Sequence, residues 1–251
     1  MYLETEAIVL NRRKLSDSDV SLTLFSRKSG RMQVIANGAR NPRSRITSAC
    51  HPFVYGEFSL NGSRDSWRVS QVQITESFYP LREDLNKLAL ASWFLELSES
   101  VLQENQTNNR LFDLLIHTLN MIKTMTTGYN KIQATFELKF FALNGVRPEL
   151  SVCTQCGRAS GDEGWRLDIS EGGLICPSCN GAESGYPVEA VLIRLMRFLT
   201  ESPMETFLKT IISKSLLTKI LWINQRYIRH HISDRPFKSL GILKTIQTEG
   251  E

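Results

Sequence analysis

Val20-Ser21-Leu22-Thr23-Leu24 and Met32-Gln33-Val34-Ile35-Ala36 decide how the first third of the chain is read. In the first, Val20, Leu22 and Leu24 alternate with Ser21 and Thr23, and in the second Met32, Val34 and Ala36 alternate with Gln33 and Ile35, the two-residue period of a strand. Ser29-Gly30 supplies a short turn between them. Working outward, a first strand is expected over Ala7–Leu10, a fourth over Phe53–Leu60 and a fifth from Trp67 to about Thr75. Asn61-Gly62 reads as a tight hairpin turn between the last two. The apolar phase of the fifth strand shifts between Val69 and Val72, as a bulge requires. Five short strands in residues 1–80 predict a small barrel, an OB-fold or an SH3-like barrel.

After Pro80 the period becomes helical. Apolar stripes are Leu90, Trp93, Phe94, Leu97 and Val101; Leu111, Leu115, Leu119, Ile122 and Met125; and Ile132, Phe136, Phe140 and Leu143, the last closed by Asn144-Gly145. Val191, Leu192, Leu195, Met196 and Leu199 form another stripe. Ser202-Pro203-Met204-Glu205 has the form of a capping box. Leu217, Ile220, Leu221, Asn224 and Ile228 predict a last long helix, with Lys238 and Ser239 in a loop after it. The expected organisation is thus a barrel domain over 1–80 and a helical domain over 81–251, interrupted by a cysteine module at about 150–185. The fold class is α+β multidomain.

Within that module stand Cys153-x-x-Cys156 and Cys176-x-x-Cys179, separated by 19 residues. Two such knuckles offer four thiolates to one tetrahedral Zn²⁺. Gly157, Pro177 and Asn180-Gly181 suit the tight turns that aim N–H groups at sulfur. A four-sulfur site has no open position for water or substrate, so the zinc is expected to be structural. The N-terminus lacks the pattern of a signal peptide, and no run approaches a membrane span. The expected location is cytoplasmic, where paired cysteines favour metal over disulfides. Cys50 reads as a small core residue.

The net charge of +4 is unevenly placed: +4 over 1–80, −1 over 81–150, −3 over 151–188 and +4 over 189–251. No acidic residue occurs between Val20 and Gly56, a stretch that holds Arg27, Lys28, Arg31, Arg40, Arg43 and Arg45. Arg12, Arg13 and Lys14 lie just before it. Such a cluster at a barrel rim suits a polyanion, as the basic groove of an OB-fold tracks a nucleic-acid backbone. Gly38–Arg45 reads as a flexible basic loop able to wrap phosphates. Phe25, Phe53, Tyr55, Phe58 and Trp67 are able to stack on bases, but a small barrel needs most of them for its core. Lys238 reads as a secondary phosphate contact, whereas Arg226–His231 suit a helix C-terminus without further function. Asp17 and Asp19 read as a solvated turn. Nucleotide-binding glycine loops and His-Glu-x-x-His are absent.

Taken together, these segments resemble the RecO family of bacterial recombinational repair proteins. The resemblance runs through Ala7–Leu10, Leu24-Phe25-Ser26, Ser29-Gly30-Arg31 and Gly38-Ala39-Arg40, then Phe136-Glu137-Leu138, Gly145 and Pro148-Glu149-Leu150. It continues through Cys153, Cys156-Gly157, Gly172-Gly173-Leu174, Cys176 and Lys238-Ser239. It implies an N-terminal OB-fold, a helical domain with a zinc module, and a non-enzymatic, nucleoid-associated mediator. Such a mediator anneals DNA strands and helps RecA replace single-strand binding protein at gaps. RecR and the C-terminal tail of single-strand binding protein are the implied partners. Asn37 and Leu240 depart from the basic residues frequent in the family at those places. The competing readings are a zinc-finger glycosylase or nuclease and a protein-only adaptor.

Overall fold

A computed structural model describes residues 1–63, 66–162, 164–180 and 185–249. By contacts the chain divides into two compact units, Met1–Thr124 with Phe237–Glu251, and Met125–Pro236.

The first unit begins with strands β1 (Tyr2–Lys14), β2 (Val20–Ser26), β3 (Gly30–Ala36), β4 (Tyr55–Ser63) and β5 (Ser66–Glu76). They close into a barrel in the order β1-β2-β3-β5-β4. Every neighbouring pair is antiparallel except β3 and β5, which close the barrel in parallel through Val34↔Trp67 and Ile35↔Arg68. That order is the OB-fold's and decides between the two barrels the sequence allowed. The alternation of β2 and β3 becomes the core directly. Val20, Leu22, Leu24, Met32, Val34 and Ala36 point inward with Val9, Phe58 and Leu60. Cys50 is fully buried among them, and burial pushes its thiol up to about 11, in keeping with an inert core residue.

Two strands differ from expectation. β1 runs for 13 residues rather than four because it pairs with β2 along one half and with β4 along the other. Asn61-Gly62 does not turn: Asn61 pairs with Arg68, Gly62 with Trp67 and Ser63 with Ser66, and residues 64–65 lie outside the described residues. Pairing with β5 overrides the local turn preference. The bulge falls where the apolar phase shifts, since Ser59↔Gln71 is followed by Leu60↔Val69 and leaves Ser70 extra.

Helices α1 (Leu85–Val101) and α2 (Asn109–Thr124) complete this unit with a helix absent from the sequence reading, α7 (Lys238–Glu249). Asp84 caps α1 by accepting from the Lys87 N–H at 3.1 Å. α1 is buried well beyond its predicted stripe, Leu95 and Ser98 included, because it packs on both α2 and α7. Lys238 and Ser239 therefore open a helix instead of lying in a loop. The Glu96 carboxylate of α1 accepts from the Lys238 N–H at 3.1 Å and the Ser239 N–H at 2.8 Å, and also from the Ser239 hydroxyl. A side chain from a distant helix thus caps α7.

The second unit holds α3 (Tyr129–Leu143), α4 (Ala190–Glu201), α5 (Met204–Lys209) and α6 (Lys214–His231). Between α3 and α4 lies a sheet of β6 (Glu149–Cys153), β7 (Arg166–Asp168), β8 (Gly173–Ile175) and β9 (Tyr186–Pro187), in the order β6-β8-β7-β9. α3 ends as expected: Gly145 takes φ +75°, and the Val146 N–H returns to the Phe141 carbonyl at 3.0 Å. The capping box at Ser202 does not form. Ser202 instead closes α4, giving its N–H to the Phe198 carbonyl, and Pro203 precedes α5 without a side-chain cap. Glu137 of α3 is fully buried and accepts from Gln133 and Asn224, each at 2.9 Å. Asn224 thus sits in the apolar stripe of α6 as a partner for a buried carboxylate.

Candidate nucleic-acid interface and metal centre

The basic residues do not share one surface. Lys14 pairs with Val20 and Val20 with Ala36, so the β1–β2 loop and the segment after β3 leave the same end of the barrel. These two loops are tied together. The Asp19 carboxylate accepts from the Gly38 N–H at 2.8 Å, the Arg40 N–H donates to the Ser18 carbonyl at 2.9 Å, and the Arg40 guanidinium donates to the Ser16 carbonyl at 2.9 Å. The Gly38 N–H, followed by the Ser18 and Ser16 hydroxyls, holds the Asp19 carboxyl below its ordinary pKa.

The basic segment is consequently not the flexible loop the sequence suggested. Successive turns fold it, with Asn41 N–H to Gly38 O, Ser44 N–H to Asn41 O and Thr47 N–H to Ser44 O at 2.9–3.2 Å. The Thr47 hydroxyl donates back to Asn41 O at 2.7 Å. Arg40, Arg43 and Arg45 are exposed on this scaffold. Arg12 lies half-buried at the same end, donating to the Ala39 carbonyl at 3.4 Å, and exposed Lys14 pairs with Asp17 at 2.9 Å.

Arg13 and Arg31 occupy the barrel's outer wall, since they pair with Ser21 and Phe25, the β2 residues that alternate with its core positions. Glu99 of α1 lies within reach of both charges. Its burial raises its pKa, against the pull of Arg31 and Arg13. Arg27 and Lys28 sit in the β2–β3 turn at the opposite barrel end. Arg27 is engaged on three sides, by Glu6 and Asp113 at 2.7 Å each and by the Phe112 ring at 4.4 Å. A stretch without acids in sequence is therefore not without acids in space. Exposed Lys238 begins α7, with its N–H on Glu96.

The aromatics fill the structure, as a small barrel demands. Phe58 is in the barrel core with Trp67 packed against it, and Phe25 and Tyr55 meet Phe112 edge-on at 5.1 and 6.0 Å. Phe53 is buried beneath Arg82.

In the second unit the four cysteines converge. The sulfurs of Cys153, Cys156, Cys176 and Cys179 all lie within 4.8 Å of one another. Cys156 and Cys176 are 3.7 Å apart. Four sulfurs at about 2.3 Å from a tetrahedral ion would be about 3.8 Å from each other, so the cage has the right size for a metal. The knuckles are built as their sequence suggested. Gly157 adopts φ +72° and returns its N–H to the Cys153 carbonyl at 2.9 Å, while the Cys179 and Asn180 N–H groups reach the Cys176 carbonyl at 3.0 and 3.1 Å. Gly181, expected in the second turn, lies outside the described residues.

The Cys176 N–H donates to the Cys153 sulfur at 3.3 Å. Burial opposes ionisation of Cys153, but N–H groups of Cys176, Cys156 and Gln155 outweigh it and bring the thiol to about 6. Sharing with Cys156 and Cys176 pushes Cys179 up to about 12. The charge that the sulfurs share with one another is the charge a cation would neutralise. Donor set, spacing and N–H cradle all fit a bound metal.

Comparison with known proteins gives the family. The family models described as "Recombination protein O N terminal" and "Recombination protein O C terminal" match residues 1–78 and 82–241. The chain belongs to the RecO family. A protein from Alkaliphilus metalliredigens named DNA repair protein RecO is 37% identical over 98% of this chain and 100% of its own length. Relatives of the same name from Desulforudis audaxviator and Acetivibrio thermocellus are 31% and 26% identical over 96% and 98% of the chain, and cover 96% and 97% of their own lengths. The boundary between the two RecO models falls just after the barrel. The four cysteines lie within the C-terminal one. Among the described residues, no helix is long and apolar enough to cross a membrane.

Proposed function

We propose that this RecO family protein is a non-enzymatic DNA repair and recombination mediator. It binds single- and double-stranded DNA, anneals complementary strands and, with RecR, helps load RecA onto DNA coated by single-strand binding protein. The observation that carries the reading is the turn-built segment Gly38–Arg45, which displays Arg40, Arg43 and Arg45 to solvent at the barrel end where the β1–β2 loop also emerges. OB-folds take up oligonucleotides on this kind of surface. Arginines there neutralise phosphates with little sequence preference. Screening the repulsion between two bound strands speeds annealing without any bond being made or broken. Arg12 and Lys14 add to the positive field at this end, Arg13 and Arg31 add contacts on the barrel wall, and Lys28 and Lys238 add separate phosphate contacts elsewhere, with Arg27 the most internally engaged of the set. The tail of single-strand binding protein is the second partner, and the working location is the cytoplasm, at the nucleoid.

One Zn²⁺ per chain, held by Cys153, Cys156, Cys176 and Cys179, has a structural role: it ties the knuckle after β6 to the knuckle after β8. Metal analysis of the purified chain is expected to give one zinc, and folded protein without metal would refute the site.

The functional test is annealing of complementary oligonucleotides, with and without single-strand binding protein, at two salt concentrations. Fast, salt-sensitive annealing with intact strands is expected. Strand cleavage or base removal would point instead to an enzyme, and absence of DNA binding at both salts to a protein-only adaptor.

A further inference from the structure

A series of strand pairings leads from the cysteine cluster to the surface of α6. Cys153 ends β6 and pairs with Leu174 of β8, and Cys176 follows β8 directly. β8 pairs with β7 through Leu167↔Leu174, and β7 pairs with β9 through Leu167↔Tyr186 and Arg166↔Pro187. β9 is only two residues long, too short to hold its place alone. Its flanks are fastened to β7: the Arg166 guanidinium donates to the Gly185 carbonyl at 2.6 Å, and the Val188 N–H to the Trp165 carbonyl at 3.0 Å. Gly185 has φ +76°, and a Cβ there would come within 2.7 Å of the Leu167 carbonyl oxygen, so this edge closes only around glycine.

Beyond β9 the Tyr186 ring meets Trp222 of α6 edge-on at 4.6 Å. The Arg226 guanidinium covers Trp222 at 3.3 Å from the ring centre. Below these rings is a cavity of 390 Å³, lined on one side by Tyr186, Pro187 and Val188 and on the other by Leu192, Trp222 and Ile223. At its rim Lys219 pairs with Glu189 at 2.5 Å. One wall of the groove therefore belongs to β9 and the residue after it, the edge of the sheet that carries Cys153, and the other to the helices.

We propose that metal occupancy of the four-cysteine centre governs this groove: the metal fixes β6 and β8, they fix β7 and β9, and loss of metal separates Tyr186 from Trp222. The proposal rests on the four cysteines holding a metal. Coupling of this kind is reciprocal, so the Tyr186–Trp222 contact also helps the centre retain its ion.

The test uses the full chain as purified with its metal, whose stoichiometry is counted first. The chain has four tryptophans, so wild type is compared with Trp222→Phe to isolate the emission of Trp222. A chelator withdraws the metal while a dye reports its release. The wild-type minus Trp222→Phe signal is expected to change in step with release. Metal release with that difference signal unaltered would overturn the coupling. In a second arm, folded and loaded Tyr186→Ala is expected to surrender metal to the chelator at least about 5-fold more readily than wild type. Equal retention overturns the proposal, and this arm decides should far-UV circular dichroism show that chelation melts the helices. Absence of metal from the purified chain would remove the metal reading itself, and the proposal with it.

Discussion

Arg40, Arg43 and Arg45 differ from Arg27 in what surrounds them, although all four belong to one acid-free run of sequence. The first three are exposed on a hydrogen-bonded turn scaffold, and Arg27 is held by Glu6, Asp113 and Phe112. Replacing the three exposed arginines together with alanine is expected to weaken DNA binding and to reduce the slope of log K against log salt by about 2–3, at about 0.7–0.9 per phosphate contact. Oligonucleotide titrations at several salt concentrations measure this, and an unchanged slope would remove the segment from the interface. Arg27→Ala serves as the contrast. It is expected to leave the slope nearly intact and to cost about 1 kcal/mol of stability, because its ion pairs are partly solvated. Residue identity and spacing made the four cysteines legible, since metal geometry demands four thiolates from two tight turns. They did not reveal Glu6 and Asp113 beside Arg27, because those acids arrive from β1 and α2.

Elements are fixed by their partners as much as by their own pattern. Gly30 opens β3 with φ +63°, and a Cβ on it would stand 2.0 Å from the Gln106 carbonyl oxygen. Gly30→Ala is expected to destabilise the first unit by about 3 kcal/mol or more, read as a lower denaturant midpoint. α7 depends on Glu96, which receives two backbone N–H groups and the Ser239 hydroxyl. Glu96→Ala is expected to cost about 1–2 kcal/mol and to speed hydrogen exchange in 238–249, whereas Glu96→Gln keeps an acceptor and costs less. Exchange in α7 that matches wild type in Glu96→Ala would show that packing on α1 alone holds the helix. The sequence could not announce α7 as it announced the β2 and β3 strands, because its cap lies in α1, 142 residues away from Lys238.

For the whole molecule, acid is the informative perturbation. The Lys123 ammonium, at 2.5 Å, lowers the pKa of Glu76 below its ordinary 4.5. A carboxyl whose folded-state pKa is depressed contributes stability that is full above the unfolded value and fades as pH falls through the folded value. Stability of the first unit is therefore expected to decline below about pH 4.5, and Glu76→Gln to flatten that decline when denaturant midpoints are followed from neutral pH downward. A decline of the same steepness in Glu76→Gln would assign it to other carboxyls. By itself the sequence determined the barrel strands, the helical remainder and the metal-binding quartet, because alternation, helical period and Cys-x-x-Cys spacing are local consequences of burial and coordination. Only the tertiary structure decided the closure of β3 on β5, the continuation of β4 through Asn61-Gly62, the capping of α7 by Glu96 and the engagement of Arg27. Three of these depend on a partner brought from far along the chain, and the fourth on how far the β4–β5 pairing runs before it ends; neither kind of contact leaves a periodic trace in the residues that make it.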